Sequence, residues 1–312
     1  MSEIILHHYP ESLFSEKVRL ILGCKCLSWR SVTIPVVMPK PDLLALTGAY
    51  RRTPVMQLGC DIYCDTALIS EVLDRMSPEP PLFAPNQAAS VQMASRWADT
   101  VLFSAVVSYS LQKPEGLAKI FPDPKASEAL FADRQPFLSG GSAQVLTSPL
   151  EALSVLMNTI DWIDAELVAT GARFLAGATP SILDFSVYHC LWFVDGAGLL
   201  DELLAGRQQV SAWMKQVAAL GHGRPADMSS AEAIAVARAS APAPAAAIDA
   251  NSVDGLKPGD AVEVAATDYG VDPTAGTLVT ATRREFVIAR EDVRAGKVHV
   301  HFPRIGFRIA HR

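Results

Sequence analysis

The chain has 312 residues, more than one hydrophobic core usually supports, so two or three domains are expected. Half of its residues are hydrophobic and 19% are charged, which favours a folded, helix-rich protein over a disordered one. The net charge of −6 offers no basic surface for phosphates, so nucleic acid is not an expected partner.

The sequence predicts a protein of the cytoplasm. No basic region precedes a long apolar run at the start of the chain, so a secretory signal is not expected. The most apolar long stretch, residues 182–200, is interrupted by Asp184, His189 and Asp195, which predicts a buried helix and not a membrane span. Five cysteines without C-x-x-C spacing indicate reduced thiols.

The first third of the chain predicts the order strand, helix, strand, then two strands and a helix. Strands are predicted at 3–9, 28–34, 53–58 and 60–64, and helices at 12–22 and 65–76. Residues 35–41 are proline-rich, so we expect a loop after the second strand and no regular helix.

Residues 86–238 have helical periodicity. Helices are predicted at 86–111, 125–131, 149–170, 181–193 and 208–220. Ser181 and Asp184 have the spacing of a capping box, which explains Asp184 as a structural residue without any ligand.

The last part of the chain changes character. Residues 239–250 are rich in Ala and Pro and predict an extended linker. Five short alternating segments come after it, separated by turn residues, and they predict a compact barrel or rolled sheet within residues 251–312. The predicted strands are 261–266, 276–282, 285–289, 297–303 and 307–310.

Four local motifs, taken in order, carry a family resemblance. They are PESLFSEKVR from Pro10, RTPV from Arg52, DTALI from Asp65, and FLAG from Phe174 followed by SILDF from Ser181. Over residues 3–235 the chain resembles the soluble glutathione S-transferases, in particular the serine-type members. The resemblance implies an α/β thioredoxin-like domain at 1–80 that binds glutathione, an all-α substrate domain at 86–238 and a homodimer. The small all-β, barrel-like module is an addition to that family pattern.

A glutathione transferase must favour the thiolate over the thiol, whose ordinary pKa is about 8.5. Ser12 begins the first predicted helix, where a hydroxyl and a helix amino terminus could both stabilise the anion. The resemblance assigns Ser12 the catalytic role, with Tyr9 and Ser15 as alternative hydroxyls. On the residues alone, Ser12 could instead only cap the helix, and Tyr9 could only pack over the strand end.

The resemblance also assigns residues to glutathione itself. A cis bond before Pro54 would present Thr53 and Val55 to the peptide backbone, while Asp65 and Thr66 would take the γ-glutamyl end at a helix amino terminus. The glycine carboxylate needs a cation, for which the sequence offers Lys40, Arg51 and Arg52. Each feature also has a plain structural reading: an ordinary strand start, an N-cap pair, and solvated surface charges.

Three further aromatic or histidine residues are candidates for a site. Tyr109 lies on a predicted helix that would line the second-substrate cleft, although aromatic residues at helical spacing are more often core. His299 and His301 alternate by two and should share a sheet face, but no third ligand has suitable spacing, so no metal is expected.

The sequence supports two main functional hypotheses. The first is an enzyme of the detoxification type that adds or transfers the glutathione thiolate to a small apolar electrophile, with no redox cofactor. The alternative is a non-catalytic protein on the same fold whose β module recruits a partner. A glutathione-dependent lyase, dehalogenase or reductase is a third possibility, which differs from the first only in the steps after thiolate attack.

Overall fold

The structure is a computed structural model that describes residues 3–139, 147–244, 246, 249 and 255–312. Of the predicted linker at 239–250, residues 245, 247, 248 and 250 lie outside the described residues, as do 251–254 at the start of the predicted β module. Among the described helices, none is long and apolar enough to cross a membrane.

The first domain has the predicted order of elements with one added helix. Its elements are β1 (Ile4–His8), α1 (Leu13–Cys24), β2 (Ser28–Thr33), α2 (Pro41–Thr47), β3 (Val55–Leu58), β4 (Asp61–Cys64) and α3 (Thr66–Met76). The expectation that no helix lies between the second and third strands was wrong. Pro41 ends the proline-rich loop but also occupies the first turn of α2, where its missing N–H costs nothing.

The second domain contains all five predicted helices. Its elements are α4 (Ala88–Trp97), a π-helical segment (Ala98–Leu102), α5 (Phe103–Leu111), α6 (Pro114–Ile120), α7 (Pro124–Ser139), α8 (Pro149–Thr170), α9 (Ile182–Gly196), α10 (Leu200–Leu203) and α11 (Gln208–Ala218). The short helices α6 and α10 were not predicted, and α7 continues beyond residue 131. Polar and apolar residues mix along α7, so it has no clear apolar stripe to mark its end.

After α11 the chain returns to the first domain. Strand β5 (Arg224–Asp227) pairs in parallel with β2, and α12 (Ser230–Ala239) comes next. Strand β5 was not predicted, because all four of its residues are exposed and show no alternation. Helix α12 falls in the range predicted to be helical, but it was not among the five named helices.

The five predicted C-terminal strands are confirmed. They are β6 (Ala261–Ala266), β7 (Thr274–Ala281), β8 (Glu285–Asp292), β9 (Gly296–Pro303) and β10 (Phe307–His311). Their order in the sheet is β10-β6-β7-β8-β9, so β10 and β9 lie at opposite ends of the group. The short turn at 304–306 connects these two strands, so the group must curl until its ends approach each other. The Phe302 and Phe307 rings lie 5.6 Å apart across this turn.

The rolled group is continuous with the sheet of the first domain. Strand β9 pairs in parallel with β4, with Asp61 opposite His299 and Tyr63 opposite His301. Together the strands form one ten-stranded sheet in the order β10-β6-β7-β8-β9-β4-β3-β1-β2-β5. Residues of the C-terminal strands, such as Val298 and Val300, share a buried cluster with Ile5 of β1 and Leu43 of α2.

Candidate active site at one end of the sheet

Three strand ends meet at the same end of the sheet. Val55, the first residue of β3, pairs with His7 near the end of β1 and with Cys64 at the end of β4. The turn after β1, the peptide before β3 and the turn after β4 are therefore neighbours. These three segments contain most of the site residues expected from the sequence.

Ser12 both caps a helix and faces the site. Its Oγ accepts a hydrogen bond from the Ser15 N–H at 3.2 Å at the amino terminus of α1, and the residue is 5% exposed. Because this bond uses only the oxygen, the hydroxyl proton remains free to donate. The capping and catalytic readings are thus compatible. Ser15 lies one turn into the helix and is fully buried.

Tyr9 joins the same group of hydroxyls. Its side chain is hydrogen-bonded to those of Ser12 and Arg134, and burial raises its pKa, so the phenol stays protonated at neutral pH. A guanidinium can only donate, so Arg134 donates to the phenol oxygen, and the Ser12 bond also lowers the pKa of Tyr9, as a bond donated to that oxygen does. The Ser12 hydroxyl proton can therefore go either to the phenol oxygen or to a bound thiolate.

Thr53 and Lys40 lie on the next segment. The Thr53–Pro54 bond is cis, as expected, and the Thr53 Oγ1 accepts from the Lys40 ammonium at 3.3 Å. Lys40 also donates to the Arg51 carbonyl at 3.4 Å and lies 5.6 Å from the centre of the Tyr9 ring. Lys40 is only 1% exposed, and burial together with the Arg134 and Arg51 charges lowers its pKa to about 8.

Asp65 and Thr66 form the third segment, at the amino terminus of α3. Asp65 has a φ of +73°, a conformation that non-glycine residues adopt rarely and that is often found at functional sites. Its carboxylate accepts from the Ala67 N–H at 2.9 Å and so caps the helix. Thr66 is the first residue of α3 and is 6% exposed.

The two arginines expected near the glycine carboxylate are held by acidic residues of the chain itself. Arg51 donates to both carboxylate oxygens of Asp133 in α7, each at 2.5 Å. Arg52 binds the Asp268 carboxylate at 2.6 Å and the Tyr269 carbonyl, in the loop between β6 and β7. The assignment of Arg52 to glutathione stays a prediction, in competition with Asp268.

Sequence reasoning missed the residues that close over this end of the sheet. Arg134 comes from the part of α7 beyond the predicted helix, and Tyr269 from the loop between β6 and β7. The Tyr269 ring lies between two guanidiniums, with Arg52 at 5.5 Å and Arg134 at 5.7 Å from its centre. No local pattern marks either residue, because each reaches the site only through tertiary packing.

A buried ion pair fixes the turn that carries Tyr9. Arg19 of α1 donates to the carbonyls of Tyr9 at 3.3 Å and Pro10 at 2.9 Å. Its guanidinium is itself held by Glu16 at 2.9 Å. The motif from Pro10 to Arg19 therefore contains Ser12 and the residue that holds the turn after Tyr9.

Tyr109 lies in the helical core. It is 4% exposed, and its hydroxyl accepts from Lys113 at 3.1 Å. An open groove of about 700 Å³ lies elsewhere in this domain, between α6 and α7. Its lining, Leu117, Ser127, Glu128, Phe131, Ala132 and Gln135, contains none of the expected site residues. A second-substrate role for Tyr109 stays a prediction.

His299 and His301 do share a face, as expected. The Asp61 Oδ1 lies 3.1 Å from the His301 Nε2 and 3.8 Å from the His299 Nδ1, and Glu285 lies 3.1 Å from the other His301 nitrogen. Within the described ranges, no group of three or more His, Cys, Asp or Glu residues is arranged to hold a metal.

A thioredoxin-like domain with a cis-proline at its binding end, followed by a helical domain, defines the glutathione S-transferase class of fold. Residues 6–81 match the glutathione S-transferase N-terminal domain family, and residues 114–216 match its C-terminal domain family. A solved GST-like protein from Pseudomonas syringae is 41% identical, with full coverage of both chains and a TM-score of 0.82. The chain belongs to the glutathione S-transferase family.

Two more distant proteins cover only the transferase part. FtsZ-localized protein A of Caulobacter vibrioides is 24% identical over 190 residues, which are 59% of this chain and 78% of that protein. A glutathione S-transferase from Rhodospirillum rubrum is 20% identical over 69% of this chain and 87% of its own, with a TM-score of 0.51. At that identity the likeness to the solved structure concerns the fold alone.

Proposed function

We propose that the protein is a glutathione-dependent transferase that joins the glutathione sulfur to a small, largely apolar electrophile. The observation that carries the proposal is the meeting of Ser12 and Tyr9 with the cis Thr53–Pro54 bond and the α3 amino terminus at one end of the sheet. Hydroxyl donors, the backbone at the start of β3 and a helix dipole are suited to a γ-glutamyl peptide thiolate.

Each part of glutathione has a partner in the proposal. The Ser12 hydroxyl donates to the thiolate, the buried Lys40 ammonium binds the glycine carboxylate, and the amino terminus of α3 binds the γ-glutamyl carboxylate. Asp65 takes the ammonium. The thiol proton leaves to solvent and the sulfur forms a bond to the electrophilic carbon. In a displacement that carbon loses its leaving group with the bonding electron pair, and in an addition the neighbouring atom that receives the electron pair takes up a proton.

The assay is a calorimetric glutathione titration combined with thiolate absorbance against pH. In Ser12→Ala we expect the pKa of the bound thiol to rise by about one to two units, the equivalent of one lost hydrogen bond to a charged group. Ser148→Ala is the matched control, since Ser148 caps α8 with the same kind of bond and its helix lies outside the site. An unchanged thiol pKa in Ser12→Ala would remove Ser12 from the mechanism.

Tyr9→Phe separates the two hydroxyls. If Tyr9 only polarises Ser12, its loss should raise the thiol pKa by less than the loss of Ser12 does. A larger effect for Tyr9→Phe would make Tyr9 the direct donor. Product analysis in the same assay distinguishes transfer from reductive chemistry, because only the latter accumulates oxidised glutathione.

Family resemblance extends the proposal to a homodimer in the cytoplasm with a role in detoxification. Sedimentation equilibrium tests the dimer. A mass of one chain at micromolar protein would contradict it.

A second candidate is a non-catalytic partner-binding protein. It is favoured by the similarity to FtsZ-localized protein A and by the Asp268 carboxylate, which occupies Arg52. Fluorescence anisotropy with purified FtsZ, alongside the glutathione titration, tests it. Binding to FtsZ with no heat from millimolar glutathione would support this candidate over the enzyme.

A further inference from the structure

The α7 residue Arg134 brings a positive charge to the thiol site. Its side chain is 22% exposed, is hydrogen-bonded to the Tyr9 hydroxyl and packs its guanidinium over the Tyr269 ring. It therefore reaches the hydroxyl pair from the helical domain, the side from which a second substrate would approach.

Two neighbouring arginines differ in how their charges are balanced. Asp133 gives both carboxylate oxygens to Arg51 at 2.5 Å. The same carboxylate lies 3.6 Å from the Arg134 Nη1, beyond hydrogen-bond distance. The contacts of Arg134 are thus a phenol, an aromatic face and an ion pair with Asp133 that is too long for a hydrogen bond, and a ligand carboxylate could join them.

Charges of both signs surround Tyr9 and Tyr269. The cations are Lys40, Arg51, Arg52 and Arg134, and the facing carboxylates are Asp133, Asp268 and, beside Tyr9, Glu11. Asp133 and Asp268 hydrogen-bond to Arg51 and Arg52, and Asp65, near Arg52, caps α3. Among the described residues, no carboxylate lies within hydrogen-bond distance of Lys40 or Arg134, so both cations can bind anions supplied by ligands.

We propose that Arg134, backed by the ring of Tyr269, determines specificity by binding a carboxylate on the second substrate, which is an aromatic or otherwise apolar electrophile with one acidic group. This inference rests on the proposed function, in which Lys40 already takes the glycine carboxylate of glutathione. A planar guanidinium stacked on an aromatic ring is suited to bind a carboxylate through two parallel N–H groups.

The test compares two electrophiles that differ in one charge, 4-chloro-3-nitrobenzoate and 4-chloro-3-nitrobenzamide. In each, the glutathione sulfur bonds to the ring carbon, the carbon–chlorine bond breaks, chloride leaves and the thiol proton goes to solvent. We expect wild type to prefer the benzoate in kcat/KM. Arg134→Gln should lower the ratio of kcat/KM for the benzoate to kcat/KM for the benzamide about tenfold or more, whatever loss the two rates share through Tyr9.

The matched control is Arg173→Gln, which removes a guanidinium that also stacks on an aromatic ring, that of Phe174 at 5.5 Å, but outside this site. It should change neither rate. Equal losses for both electrophiles in Arg134→Gln would mean that Arg134 acts only through Tyr9 and Ser12, and would overturn the inference. Equal wild-type rates for the two electrophiles would overturn it as well.

Calorimetry of the two purified glutathione conjugates provides a readout that does not need turnover. The inference expects wild type to bind the carboxylate conjugate more tightly, and Arg134→Gln to bind both conjugates alike. If glutathione binds but the conjugates are not distinguished, the inference fails and the proposed function stands. If glutathione does not bind, the proposed function fails, and the inference fails with it.

Discussion

Replacing Asp99 with Asn should loosen the contact between the two transferase domains. Asp99 lies in the π-helical segment and binds the Lys17 ammonium of α1 at 2.6 Å and the His189 ring of α9 at 3.2 Å. Lys17 is 1% exposed, so the variant leaves a buried ammonium without its carboxylate. Breaking a buried ion pair from one side typically costs about 3–5 kcal/mol.

The pKa of Asp99 gives a second estimate. Burial would raise this pKa, but the Lys17 charge and the His189 hydrogen bond lower it from 3.8 to about 2. A difference of nearly two units corresponds to about 2.5 kcal/mol of native-state stabilisation. Because the folded pKa is depressed, this contribution is present above pH 4 and is lost as the pH falls towards 2.

Urea unfolding at pH 7 is the assay. We expect Asp99→Asn to lower the free energy of unfolding by about 2.5–5 kcal/mol. The matched control is Asp74→Asn, since Asp74 also binds a buried lysine, Lys25, at 2.6 Å. Lys25 keeps two carbonyl acceptors at 2.6 Å, so its variant should lose less. A loss below about 1 kcal/mol for Asp99→Asn, or a larger one for Asp74→Asn, would refute the reasoning.

Two further variants test the structural framework. Asp184 is fully buried and accepts hydrogen bonds from Ser181, from the Leu175 N–H and from the Trp213 indole, so Asp184→Ala should lower the free energy of unfolding by about 3–5 kcal/mol in the same urea assay. Burial lowers the pKa of His301, but Asp61 and Glu285 outweigh it and raise that pKa above its ordinary value. The stability that protonated His301 contributes is present below the pKa of histidine in the unfolded chain, and it is lost as the pH rises through the pKa of His301 in the folded protein. The Tm difference between wild type and His301→Asn should therefore shrink from pH 6 to pH 9. A constant Tm difference would contradict this.

Short strands separated by clear turn residues could be predicted from the sequence, as β6 to β10 show. Their pairing with the first domain could not. Strand β4 pairs with β3 on one side only, and β9 pairs in parallel with its other edge. Neither segment has a sequence pattern that predicts this pairing. Helix α2 was missed for a different reason, since a proline that usually ends regular structure also suits the first turn of a helix.

The site residues also fall into those that the sequence predicts and those that only the folded structure brings in. Ser12, Pro54 and Asp65 are each marked by a short motif at a strand end, and the β1–β3–β4 register brings those ends together. Arg134 and Tyr269 have no such mark. One lies on a helix without an apolar stripe and the other at a loop tip, so only tertiary packing places them beside Tyr9.

The C-terminal strands contact the site from two directions. Strand β9 borders β4, whose last residue precedes Asp65, and the β6–β7 loop holds Arg52, which precedes Thr53. Deleting residues 255–312 would therefore expose the β4 edge and release Arg52, so a loss of activity or of a partner on truncation would not by itself assign a role to these strands. Asp268→Asn keeps the sheet and removes only the carboxylate charge that faces Arg52. Tighter glutathione binding in that variant would mean that Asp268 competes with glutathione, whereas unchanged binding would make the Arg52–Asp268 pair a purely structural link between the β6–β7 loop and the transferase fold.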